Sequence, residues 1–321
     1  MPDKYTYAVA RIHTKENSML SLQELERLLA TDGIPEAFAF LSEKGYDTLN
    51  AESCDEIIRR ERAKMWKLVS ELVPDLSVFD IFLYETDFHN LKAAVKALVT
   101  QDSAENIFID GGTVDSALIS EAIKKREYDM LPTFLRETAE KAVKALLETH
   151  DGGLCDIICD RAYLENCLKA SEKSDNLMIK NYGELTVALA DIRIAARGAR
   201  LGKNGEFFKR ALAECRTLNK ELLAAAAAKG FEEFADYLGG TDYRDAVEIL
   251  RTSYTAFEKW CDDRFMAEIK KEKHNYFTVA PIAAYVLAKE SELKMVGLVL
   301  TAKQNKLEEA VIRERLRELY V

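Results

Sequence analysis

The sequence predicts an all-α fold, on three observations. Only 5 of the 321 residues are proline and 14 are glycine, and no proline lies between Pro132 and Pro281. Those residues supply most turns of sheet-rich folds, so their scarcity argues against an all-β sandwich or barrel. Apolar residues, 48% of the chain, recur at three- and four-residue steps instead of alternating, which is the helical period. Finally, no stretch reads as a confident strand; Ile107–Ile109 is short enough to be a buried loop segment.

Ser21 with Glu24 three residues later forms a capping-box signature that opens a helix whose apolar face is Leu22, Leu25, Leu28 and Leu29. Leu91, Ala94, Val95 and Leu98 form a second face, and Leu185, Leu189, Ile192 and Ala196 a third. Near the end, Leu307, Val311 and Leu316 mark a last stripe. Turns are expected at Gly45, Gly111–Gly112, Gly152–Gly153, Gly202–Gly205 and Gly239–Gly240.

A repeat runs through this pattern. Asn90-Leu91-Lys92 returns 101 residues later as Asp191-Ile192-Arg193, and after another 101 as Glu292-Leu293-Lys294. A second marker keeps step: Glu61-Arg62, Asp160-Arg161 and Asp263-Arg264. Ala10-Arg11-Ile12 is a fainter copy of the first. The expected organisation is three similar helical domains, residues 1–105, 106–207 and 208–321, with the N-terminal helix free to pack with the third. Adjacent residues on a helix point apart, so a marker arginine does not pair with the carboxylate directly before it and could reach the acid of a neighbouring helix or a partner. Arg11, Arg62, Lys92, Arg161, Arg193, Arg264 and Lys294 are therefore the candidate repeat-packing or partner-contact residues.

Charge and motifs exclude several function classes. A net charge of -10 repels a phosphate backbone, so nucleic acid is not an expected partner. The charge is graded: 12 basic and 19 acidic residues in 1–105 give -7, 14 and 17 in 106–207 give -3, and 19 of each in 208–321 balance. Cys155, Cys159 and Cys167 lie at helical spacing and read as reduced, buried thiols. Neither they nor the four histidines offer zinc-site spacing, so no metal is expected. The nearest approach to a phosphate-binding loop, Gly198 to Asn204, is one residue short, lacks the hydroxyl and sits in a helical pattern. His89 lies between Asp87 and Asn90, two good capping residues at a helix start, and reads as capping and packing. No catalytic residue and no cofactor are expected. The opening MPDKYTYAVARIHTKE has no apolar signal core and no run approaches the ~20 residues of a membrane span, so a cytoplasmic location without a transmembrane segment is expected.

The order of certain stretches resembles a known family. Tyr7-Ala-Val-Ala-Arg11-Ile12 followed by Leu25-Glu-Arg-Leu-Leu29 is similar to the opening of the C subunit of prokaryotic V-type (A/V-type) ATPases, related to the eukaryotic V-ATPase d subunit. So are Asp87-Phe-His-Asn-Leu-Lys-Ala93, Pro281-Ile-Ala-Ala-Tyr285-Val-Leu-Ala-Lys-Glu290 running into Glu292-Leu-Lys294, and Ile312-Arg-Glu-Arg-Leu-Arg317. The resemblance implies three helical domains arranged with pseudo-threefold symmetry as a funnel, without active-site chemistry. It also implies a rotor role, with the D- and F-type shaft subunits on one side and the cytoplasmic loops of the proteolipid ring on the other. A generic helical-repeat adaptor for soluble partners would explain the periodicity alone. A small-molecule enzyme would need a polar pocket around residues such as His89 and Arg193.

Overall fold

The computed structural model describes residues 5–100 and 107–321, so the expected boundary after residue 105 lies outside the described residues. The described residues form helices and no strand. In chain order these are α1 (Thr6–Glu16), α2 (Leu22–Leu29), α3 (Gly33–Glu43), α4 (Cys54–Leu72), α5 (Tyr84–Thr100), α6 (Ser116–Lys125), α7 (Thr133–Thr149) and α8 (Gly152–Glu172). They continue as α9 (Leu177–Arg200), α10 (Gly205–Ala211), α11 (Lys220–Lys229), α12 (Phe231–Gly239), α13 (Ala246–Thr252), α14 (Tyr254–Lys270), α15 (Ala280–Gln304) and α16 (Glu309–Arg313). Short 3₁₀ turns stand at Leu76–Phe82, Tyr128–Met130 and Lys271–His274.

Local chemistry sets many of the starts. The Ser21 hydroxyl accepts from Glu24 N–H while the Glu24 carboxylate accepts from Ser21 N–H, so the capping box is complete. Asp115, Asp151, Asn176, Asn204 and Asn219 each accept a backbone N–H of the first turn they precede. These side chains satisfy donors that a helix start leaves without partners. Gly152 and Gly153 thus open α8 behind the Asp151 cap, where the sequence suggested a turn. At Gly45 and Gly202 the turns do need glycine, with φ of +86° and +64°.

The chain divides into two units, one built from residues up to Leu76 and from Ile249 onward, the other from Ser77 to Glu248. In the first, α15 is buried nearly all round and packs against α1, α2, α3, α4, α14 and α16. Its core joins Leu25, Leu28 and Leu29 to Leu293, Val296 and Leu300. Lys303 Nζ reaches back to the carbonyls of Leu29 and Thr31 at 2.7 and 2.6 Å, closing the end of α2 with a cation. In the second unit α5 packs against α6, α7 and α8, and α9 packs against α8, α10, α11 and α12. Cys155 and Cys159 are free thiols in the α5–α7–α8 core. The three helices that carry the 101-residue markers, α5, α9 and α15, are therefore each a hub of their surroundings. A helix apolar on all sides is one that neighbours enclose.

Three details differ from the sequence-based expectation. Leu22 is exposed although it shares the apolar spacing of α2, because it stands in the first turn before the helix meets the core. Leu307 and Val311 are also exposed; α16 is a short turn, and Ile312, Leu316, Leu319 and Tyr320 are the buried residues of the end. Backbone that leaves the helix after Arg313 abandons the 3.6-residue register on which the stripe rested. Ile107 and Ile109 are a loop, but their side chains are exposed rather than buried, since this segment is held through its backbone.

Candidate functional site

The 101-residue markers share a physical role that resides in the first residue, not the basic third. Asn90, Asp191 and Glu292 are all buried, at 1%, 1% and 0% exposure. Each accepts a backbone N–H from a non-helical segment crossing its helix. Asn90 Oδ1 takes Ile109 N–H and its Nδ2 donates to Ile109 O, both at 2.9 Å. Asp191 Oδ1 takes Ala213 N–H at 3.1 Å. Glu292 Oε2 takes Leu20 N–H at 2.6 Å. The apolar residues that follow, Leu91, Ile192 and Leu293, are fully buried.

A second buried acceptor on the same helix reinforces two of these anchors. Asp87 accepts Val114 N–H at 3.0 Å and the Thr113 hydroxyl at 2.6 Å. A methyl on Gly112 would lie 2.2 Å from Asp87 Oδ1, so glycine is required by close approach. Glu184 Oε1 accepts Arg216 N–H, Thr217 N–H and the Thr217 hydroxyl, each at 2.8 Å. Crossing segments without secondary structure carry backbone donors that burial would otherwise orphan, and these side chains satisfy them. Asp87 and Asn90 thus bind an incoming segment instead of capping their own helix. The His89 ring sits beside them, its Nε2 3.1 Å from Ile107 O.

The electrostatics differ among the three. Burial raises the Asp87 carboxyl, partly offset by its Thr113 and Val114 donors. Burial pushes Asp191 up to about 7, against the Ala213 N–H and the Lys220 charge, and its Oδ2 has no hydrogen-bond partner among the described residues. Glu292 instead carries its own counter-ion: Lys289 pairs with Oε1, and Tyr46 donates its hydroxyl there at 2.6 Å. The Lys289 ammonium also lies 4.5 Å from the Tyr46 ring centre.

The basic marker residues have mixed environments. Arg62 grips Glu290 through Nε and Nη2 at 2.9–3.0 Å. Lys92 meets Asp160 at 2.5 Å; burial opposes its charge, but the Asp160 hydrogen bond and charge prevail and raise its pKa. That contact joins the basic residue of one marker to the acid of another. Arg161 pairs with Glu165 at 2.7 Å and donates to Lys209 O at 3.2 Å. Arg11 packs on Tyr7 in an exposed pair. Arg264 lies 5.3 Å from the Trp260 ring centre, and Arg193 is half-buried on α9 near Tyr163. Lys294 is exposed and makes no ion pair among the described residues. The structure brings Lys92 and Arg161 onto neighbouring helices of one unit; it does not gather the seven into one cluster.

The marker positions are visible in the sequence, but there the basic residue draws the eye and the acidic or amide residue does not. The signal for the latter is a polar residue flanked on its helix by Leu, Ile or Val at core spacing. Among the described residues no group of His, Cys, Asp and Glu could hold a metal ion, and no helix is long and apolar enough to cross a membrane. Gly198, which began the imperfect phosphate-loop match, lies inside α9 with Phe208 packed on it. The anchors satisfy the backbone donors of the crossing segments.

Comparison with known proteins places this architecture. The model of the ATP synthase (C/AC39) subunit family matches residues 8–315. The chain is 22% identical to the V-type sodium ATPase C subunit of Enterococcus hirae over 317 residues, covering 96% of this chain and 97% of that protein. It is 23% identical to the A-type ATP synthase C subunit of Methanosarcina acetivorans, covering 97% and 92%. With the V-type ATP synthase C subunit of Thermus thermophilus it shares 24% identity, covering 95% of each. The match is end to end, so hubs and anchors alike fall within it, and the chain belongs to the ATP synthase (C/AC39) subunit family, that of the C subunits of prokaryotic V- and A-type ATPases.

Proposed function

We propose that this chain is a non-catalytic rotor subunit, a socket between the central shaft and the membrane proteolipid ring. ATP hydrolysis in the catalytic head would turn the D- and F-type shaft, this subunit would pass the torque on, and ion transport would follow in the ring. The same path runs in reverse for synthesis. The observation that carries the reading is the end-to-end family match. Physical support comes from the anchors: a torque coupler must not yield, and close-packed helices whose connections are pinned by buried hydrogen bonds transmit strain. Three similar helical domains, bounded as the markers suggest and arranged as a pseudo-threefold funnel, fit this role. So does a cytoplasmic position peripheral to the membrane. Arg62, Lys92 and Arg161 act in packing, whereas exposed Lys294 is a candidate partner contact.

The test is removal of the subunit from membranes. ATPase activity should survive in the detached head while ATP-driven ion uptake stops, and adding back the purified chain should restore it. Unimpaired uptake without the subunit would overturn the proposal. Lys294→Glu should weaken reassembly onto stripped membranes without changing the melting temperature; unchanged reassembly would remove Lys294 from the interface.

A further inference from the structure

Within the unit spanning Ser77 to Glu248, a groove of about 710 Å³ follows the seam between α7 and α8, joined by Arg210 of α10. Its floor is apolar and half-buried: Phe134 from α7, and Leu154, Ile157, Ile158 and Ala162 from α8. The rim is charged, and unequally so. Glu137 pairs with Lys141 and Glu165 with Arg161. That leaves Lys169, Lys173 and Arg210, all exposed and none in an ion pair among the described residues. Three exposed cations outside any ion pair among the described residues, around an apolar floor, stand out on a chain of net charge -10.

We propose that this groove docks an acidic amphipathic helix of a partner protein. An apolar stripe on that helix would cover the floor, as in helix-in-groove recognition, and its carboxylates would meet Lys169, Lys173 and Arg210. The lining along α8 and its C-cap runs from Leu154 to Lys173, which at ~1.5 Å per residue is a seat roughly 29 Å long. That length matches an occupant of about 20 residues. The mixture of apolar floor and cationic rim selects acidic over basic helices, since like charges at a rim are repelled and opposite charges speed encounter.

The experiment uses the purified full chain and two fluorescein-labelled peptides of about 20 residues. They share one leucine stripe and differ only in a glutamate-rich or lysine-rich polar face. By fluorescence anisotropy the acidic peptide should bind at least ~tenfold tighter, and more weakly as salt rises through the range where surface charges are screened. The double variant Lys169→Glu/Lys173→Glu, shown folded by circular dichroism, should lose at least ~tenfold for the acidic peptide and gain for the basic one. Equal affinity of the two peptides, or no effect of the double variant, would overturn the proposal. So would absence of saturable binding, or full displacement by millimolar inorganic phosphate, which would assign the cations to a small anion.

Discussion

Asp191 makes a sharp test of the anchor chemistry. Its carboxyl stands at 1% exposure with one oxygen on Ala213 N–H and the other without a hydrogen-bond partner among the described residues. Burial raises its pKa from 3.8 to about 7. An acid whose folded pKa lies above its unfolded value holds more protons when folded. Stability therefore falls as pH rises from about 4 to about 7, and is flat beyond. A difference near 3 pH units at ~1.36 kcal/mol each is about 4 kcal/mol of stability missing at pH 8. Because the group is nearly inaccessible, solvent screening removes little of this. Asp191→Asn keeps the shape and the Ala213 acceptor but cannot ionise. Neutral Asp and Asn each leave one polar group unmatched in the same place, so the two proteins should be equally stable near pH 4. At pH 8 the variant should be more stable by about 4 kcal/mol. Urea unfolding of both proteins at pH 4, 6 and 8, followed by far-ultraviolet circular dichroism, measures the difference through the midpoints. A variant less stable than the parent at pH 8, or a difference that does not change with pH, would refute the argument.

Other expectations follow from the same contacts. Glu292→Ala leaves Lys289 buried without its counter-ion, and should cost ~3–5 kcal/mol; adding Lys289→Met should recover part of the thermal shift, and no recovery would show that the charge was not the cause. A methyl on Gly183 would lie 2.1 Å from Ser171 Oγ and 2.4 Å from its Cβ, so Gly183→Ala should lower the melting temperature by prising α8 from α9. Ser171→Ala should fail to rescue it and Ser171→Gly should succeed; rescue by Ser171→Ala would place the clash at the hydroxyl alone. Arg62 and Glu290 are about one-third exposed, so Arg62→Ala should cost no more than ~1 kcal/mol, less at high salt; a larger loss in chemical denaturation would assign Arg62 a role beyond this pair.

Much of the fold was legible because it is written in short-range rules. The Ser21–Glu24 box, the cap residues and the faces of Leu91, Ala94 and Val95 follow from spacing within one helix. The marker step placed Asn90, Asp191 and Glu292 in register before any contact was known. Their function was not legible, because a buried acceptor is defined by the backbone that crosses it. Ala213 and Leu20 are ordinary residues whose N–H groups need partners only where the chain carries them over a helix. For the same reason Arg62 found its acid at Glu290, at a sequence separation of 228 residues. The terminal stripe misled because spacing alone does not say where a helix stops.

The sequence by itself determined that the chain is helical and where several of its helices start, since helical period, capping and glycine placement act over a few residues and survive any tertiary arrangement. Only the tertiary structure decided which marker residues hold the backbone of a crossing segment. It joined the beginning and the end of the chain in one unit, with Glu292 of α15 holding Leu20, and it left Lys169, Lys173 and Arg210 around an apolar floor. Burial and the pairing of buried groups belong to the packed state, and no local pattern encodes them.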